Sequence, residues 1–208
     1  MIEEVENRKN QHKHLHYIEL IVNFLILSDK DIEKRYPTYR ISETRTLVQE
    51  NIDIILDNSG YEIVEFENDE RYELCKKNPV AHTVATRVES NNIAIKIMRY
   101  NSVHLVGNLE EKKTILKHLS DDFEHKRNDL KSINSQLEKK LFHVINNYNI
   151  RHDNPEVDAS EQEVWYDAAY ETMLFAWHTL YYAPYSRKIK DSMQKCDNKA
   201  VKEREEAL

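Results

Sequence analysis

A chain of 208 residues is long enough for one domain of ordinary size or a domain with an elaborated end. With 40% hydrophobic and 32% charged residues it is not globally disordered, and a formal net charge of -7 excludes broad attraction to phosphate backbones while leaving room for a local basic site. Its 2 glycines and 4 prolines exclude a turn-rich barrel or sandwich and any glycine-lined phosphate loop, so the expected fold class is all-α, a helical bundle.

The first ten residues are polar and charged. After them His12, His14 and His16 alternate before an apolar run from Ile18 to Leu27. That run covers too much of a helix circumference for a surface helix, which predicts a central element or a subunit contact. Its longest apolar stretch, Leu20 to Leu27, is interrupted by Asn23 and far shorter than the twenty or so residues a membrane span requires, and Glu3, Glu4 and Glu6 stand where a signal peptide would be basic. The expected location is cytoplasmic, with no membrane, and Cys75 and Cys196 are expected to remain thiols.

A second helix is predicted from beyond Ser42 to Asn58, with a stripe of Leu47, Val48, Ile52, Ile55 and Leu56, stopped at Gly60. Residues 61–66 fit a short strand or a helix start. Pro79 opens a helix with Val80, Val84 and Val88 as its stripe. Residues 93–98 alternate like a strand, yet their context favours a helix, so both readings stay open.

Asn108 caps the next helix, with Glu110 and Glu111 near its positive end and Ile115, Leu116 and Leu119 facing inward. From Leu130 through Tyr148 the apolar spacing predicts one amphipathic helix. A polar loop, 151–156, follows, and then a capping box at Ser160 and Glu163 opens a helix through Leu180 that Pro184 stops or kinks.

No phosphate loop, dinucleotide fingerprint, HExxH zinc helix or GxSxG nucleophile elbow occurs, so no cofactor and no metal are assigned. On a helix His12 and His16 share a face, but two imidazoles without a carboxylate or a third histidine make half a zinc site. Arg99 and His104 would point about 140° apart on a continuous helix, so they converge only if the helix breaks between them.

The strongest candidate is Arg151, His152, Asp153 and Asn154, delivered by a helix end into a loop before Pro155. The guanidinium fork suits phosphate, and a histidine near pKa 6.5 exchanges protons at neutrality, so the pair could clamp a phosphodiester and activate an RNA 2′-hydroxyl without a metal. Asn154 could orient the imidazole and Asp153 set its tautomer. A capped helix end with an Asx turn before Pro155 accounts for the same residues without any chemistry. The aromatic group of Tyr166, Tyr170, Tyr181, Tyr182, Tyr185, Trp165 and Trp177 suits a protein interface better than base stacking in this acidic chain, with ordinary core packing expected for several of the rings.

Four runs in order, Gly107–Leu116, Lys126–Glu138, Asn146–Asn154 and Glu163–Asp167, resemble the C-terminal helical region of abortive-infection-like bacterial proteins of the wider HEPN group. The resemblance covers about residues 93–195, which divides the chain into an N-terminal helical region, 1–90, and a HEPN-like helical domain, 91–208, packed together as one unit. It implies a homodimer or higher oligomer and an anti-phage effector that cuts RNA in a dimer cleft, a metal-independent endoribonuclease and toxin. Arg151 matches the family's arginine and His152 the polar position beside it. The histidine usually found several residues on is missing, since Glu156, Val157 and Asp158 stand there. Arg99 and His104 match that spacing with Tyr100 in the polar place, and rank below. The alternative implication is a noncatalytic assembly or regulatory subunit that binds a partner ATPase or sensor protein.

Overall fold

In the computed structural model, residues 14–25, 28, 43–66, 71–151 and 161–206 are described. They are helical apart from one two-stranded antiparallel hairpin, and none of their helices is long and apolar enough to cross a membrane. The chain divides into two compact units, Met1–Ile115 and Leu116–Leu208, a boundary lying beyond residue 90.

In the first unit, helix α1 (residues 14–25) is followed by α2 (Glu43–Ser59), which ends where Gly60 takes φ 76°, a conformation that costs a glycine nothing. Strands β1 (Tyr61–Phe66) and β2 (Arg71–Lys76) then pair with Ile63 opposite Leu74. The strand reading of 61–66 holds, whereas β2 was not foreseen. Its sequence, Arg-Tyr-Glu-Leu-Cys-Lys, has no outer polar face to alternate, because residues 72–75 are all buried. Leu56, Leu74 and Val103 form the core here, with Leu15, Ile18, Ile52 and Ile63 packed around them.

The expected stripes are only partly realised. Leu56 is buried, but Leu47 and Ile55 are exposed, and α1 leaves Tyr17, Leu20, Ile21 and Phe24 exposed while burying Val22. Helix α3 (Pro79–Ala85) starts at an Asn78 cap and buries Ala81 and Val84. Val80 is exposed and Val88 lies beyond the helix end, so that stripe is corrected. Residues 93–98 belong to a helix, α4 (Asn91–Arg99), and the strand alternative is overturned. Ser90 decides the matter locally: its side chain accepts the Ile93 N–H as an N-cap, and Ile97 faces the core. A 3-10 turn, Val103–Leu105, follows.

Helix α5 (Leu109–Ile133) starts at Asn108, whose side chain accepts the Glu111 N–H, and buries Ile115, Leu116 and Leu119 as expected. The single helix expected over 130–148 is two. Asn134 leaves helical geometry and caps α6 (Ser135–Asn147) by accepting the Leu137 N–H, so Leu130 and Ile133 end α5 instead. Helical spacing alone cannot reveal such a break, because apolar positions on both sides keep the same period. Helix α7 (Gln162–Glu206) runs 45 residues with Pro184 inside it, so the proline does not stop the helix; Ser160 of the expected capping box lies outside the described residues.

In the second unit α6 packs on α7. The Phe123 and Trp177 rings pack tilted by 40° with centroids 4.3 Å apart, and the Trp177 indole N–H reaches Asp122 at 3.3 Å. Tyr166, Tyr170 and Trp177 are fully buried, so these rings of the aromatic group are core rather than interface.

Candidate functional site

Strand β2 has an outer edge that β1 does not pair, and unpaired backbone groups there are costly if buried. Helix α1 covers part of that edge with two side chains four residues apart. Asn23 donates to the Tyr72 carbonyl at 2.8 Å and accepts the Tyr72 N–H at 3.3 Å, while the Leu74 N–H donates to Glu19 Oε2 at 3.2 Å. Further along, the Lys76 N–H donates to the Asn101 carbonyl at 2.8 Å and Cys75 bridges Ser102. The 3-10 turn that follows, with the Ser102 side chain accepting the His104 N–H, sets His104 beside Glu19 at 2.7 Å between Nε2 and Oε1.

These contacts enclose the floor of a cavity of about 700 Å³ lined by His16, Glu19, Glu73, Arg99, His104 and Glu111 among others. His16 is one turn before Glu19 on α1, and its ring lies 5.0 Å from that of His104. Arg99 reaches Glu73 at 3.2 Å. Glu73 is buried, and its Oε2 has no hydrogen-bond partner. Beneath them Cys75 is fully buried. Burial pushes its thiol pKa well up, and Glu73, Glu62 and Glu19 push it further against the opposing Arg99, so the thiol is neutral and not a nucleophile.

Arg99 and His104 thus line one cavity, because α4 ends at Arg99 and the chain turns before His104. Glu19 and Glu73 were missed by sequence reasoning. The signal for Glu19 was present: it stands three residues after His16, on the same helix face. His12, the partner expected for His16, lies outside the described residues.

Of the strongest sequence candidate, Arg151 is described, while His152, Asp153 and Asn154 lie outside the described residues. Helix α6 closes with Asn149 in the left-handed region at φ 60°, and the Arg151 N–H donates back to the Ile145 carbonyl. The guanidinium is then bound within the second unit. Its Nε donates to Ser120 Oγ at 3.1 Å, Nη2 to the Ser120 carbonyl at 3.0 Å and to Asp121 at 3.1 Å, and Nη1 pairs with Glu124. Only 16% of the side chain is exposed. Two carboxylates neutralise the fork that was expected to bind phosphate.

No protein-family model, no curated protein and no solved structure matches the chain.

Proposed function

We propose that the chain is a noncatalytic assembly or regulatory subunit that binds a partner protein, the alternative implied by its HEPN-like resemblance to anti-phage proteins. The observation that carries this reading is the engagement of Arg151 by Ser120, Asp121 and Glu124. A phosphate would have to displace two carboxylates and enter a locally anionic site. Docking surface is available on α7, where Val164, Phe175, Ile189 and Met193 are exposed and fall within about 40° of one line along the helix. Exposed apolar residues on one side of the helix, with the exposed Glu171 among them, suit a contact with another protein such as an ATPase or sensor.

The competing reading, a metal-independent endoribonuclease working in a dimer cleft, requires Arg151 to release both carboxylates and join His152, Asp153 and Asn154. Purified protein with total RNA and a tRNA pool in EDTA separates the two. The subunit reading expects no cleavage by wild type, Arg151→Ala or His152→Ala. Cleavage by wild type that is lost in both folded variants would refute it and restore the nuclease.

A further inference from the structure

We propose that His16, Glu19 and His104 form a zinc site with two imidazole ligands, one carboxylate ligand and an open position facing the cavity of the first unit. One ligand atom from each residue lies within 4.8 Å of the others. Tetrahedral zinc with bonds of about 2.0–2.1 Å holds its ligand atoms about 3.4 Å apart, so the gap is closed by ring rotations of an ångström or so. Both histidines are exposed and can make them. Glu19 need not move, because the Leu74 N–H holds Oε2 and leaves Oε1 directed at His104.

Three features make this a built site rather than a chance meeting of surface groups. The carboxylate is oriented by a backbone donor, the kind of outer contact that tunes metal ligands. His104 is placed by the turn that closes the β2 edge, so two of the three ligands are fixed along the same strand edge. Glu73, which lines the same cavity, is more than nine-tenths buried with an unpartnered oxygen. A buried carboxylate oxygen left without a donor is costly, and a cation in the cavity that Glu73 lines would offset part of that cost.

The surroundings also favour a cation. Glu19, Glu73 and Glu111 line the cavity against the single guanidinium of Arg99 among its described charged residues other than histidine. Imidazole nitrogens select zinc over the hard oxygen-seeking cations magnesium and calcium. Three protein ligands with a solvent-facing fourth position is the arrangement that leaves zinc open to water or a substrate.

The test uses the full chain, stripped with EDTA and then desalted, titrated calorimetrically with Zn2+ and, separately, with Co2+ under visible absorption. Wild type should bind one equivalent tightly and give Co2+ d–d bands of low-symmetry coordination. Among the described residues the His16 side chain makes only a ring contact, so His16→Ala should fold normally yet lose affinity by at least about 100-fold, the upper range for losing even an outer-shell partner. His104→Ala should behave alike, whereas His14→Ala, an exposed neighbour on the same helix, should bind as wild type does. Wild-type affinity no tighter than that of His16→Ala, an equal loss in His14→Ala, absent Co2+ bands, or tighter binding of Mg2+ than Zn2+ would each overturn the site.

Discussion

Replacing Arg151 by alanine tests whether this arginine holds the protein together or acts on a substrate. Its two hydrogen bonds to Ser120 are worth roughly 1 kcal/mol each. The pairs with Asp121 and Glu124 would be worth more in a dry interior, but those side chains are 61% and 39% exposed, which reduces them to roughly 0.5–1 kcal/mol each. Together the loss is about 3 kcal/mol for the second unit. With a urea dependence of about 1–3 kcal/mol per molar, the unfolding midpoint should fall by about 1–3 M. Trp165 and Trp177 are the only tryptophans and both belong to this unit, so indole fluorescence reports its unfolding selectively. High salt should shrink the difference by no more than the share of the two ion pairs. A shift below about 0.5 kcal/mol, accompanied by loss of an RNA-cleaving activity, would refute the structural role.

Cys75 should resist a thiol reagent at pH 8 in the native Cys196→Ser variant and react once urea unfolds it. Its folded pKa is raised above the unfolded one, so the stability it contributes is present below about pH 8.5 and falls by up to about 1.4 kcal/mol per pH unit above that; flat stability from pH 8 to 10 would contradict the burial argument. Pro184→Ala should raise ellipticity at 222 nm and amide protection along 185–195, because proline inside a helix costs about 3 kcal/mol and this stretch of α7 has exposed residues with little packing to offset it; unchanged protection would mean the proline is accommodated without cost. Asn23→Leu should remove the two hydrogen bonds this side chain makes to the Tyr72 backbone and cost about 1–3 kcal/mol. Hydrogen exchange should accelerate at Tyr72, and equal exchange in both proteins would show that α1 does not close this edge.

Caps and breakers were the most legible features of the sequence. Asn108, Gly60 and Pro79 marked real element ends because each acts through its own backbone or its nearest neighbours. Asn134 acts in the same way, but the unbroken apolar period around it concealed the break. Strand β2 was illegible because it is buried on both faces: Glu73 and Cys75 are as hidden as Tyr72 and Leu74. Arg151 drew attention through its chemistry. What holds it, the Ser120 hydroxyl and carbonyl with the carboxylates of Asp121 and Glu124, stands 27 to 31 residues away on α5, and no spacing rule connects the two segments.

The cavity of the first unit shows how an unforeseen strand creates an unforeseen site. A buried strand with only one partner must satisfy its outer backbone groups, and here two different segments do so. Asn23 and Glu19 serve Tyr72 and Leu74 from α1, and Asn101 serves Lys76 from the turn after α4. Because they serve neighbouring residues of one strand, 85 positions of sequence collapse to 2.7 Å between Glu19 and His104. His16 and Arg99 follow automatically, the first as the helical neighbour of Glu19 and the second as the last residue of the helix that feeds the turn. The clustering is thus a consequence of closing a strand edge, and any chain that retained β2 but lost Glu19 would also lose a backbone partner. Selection for the fold and for a ligand at this place would act on the same carboxylate, which is why the zinc titration must be read on His16, the member of the cluster that carries no share of the edge.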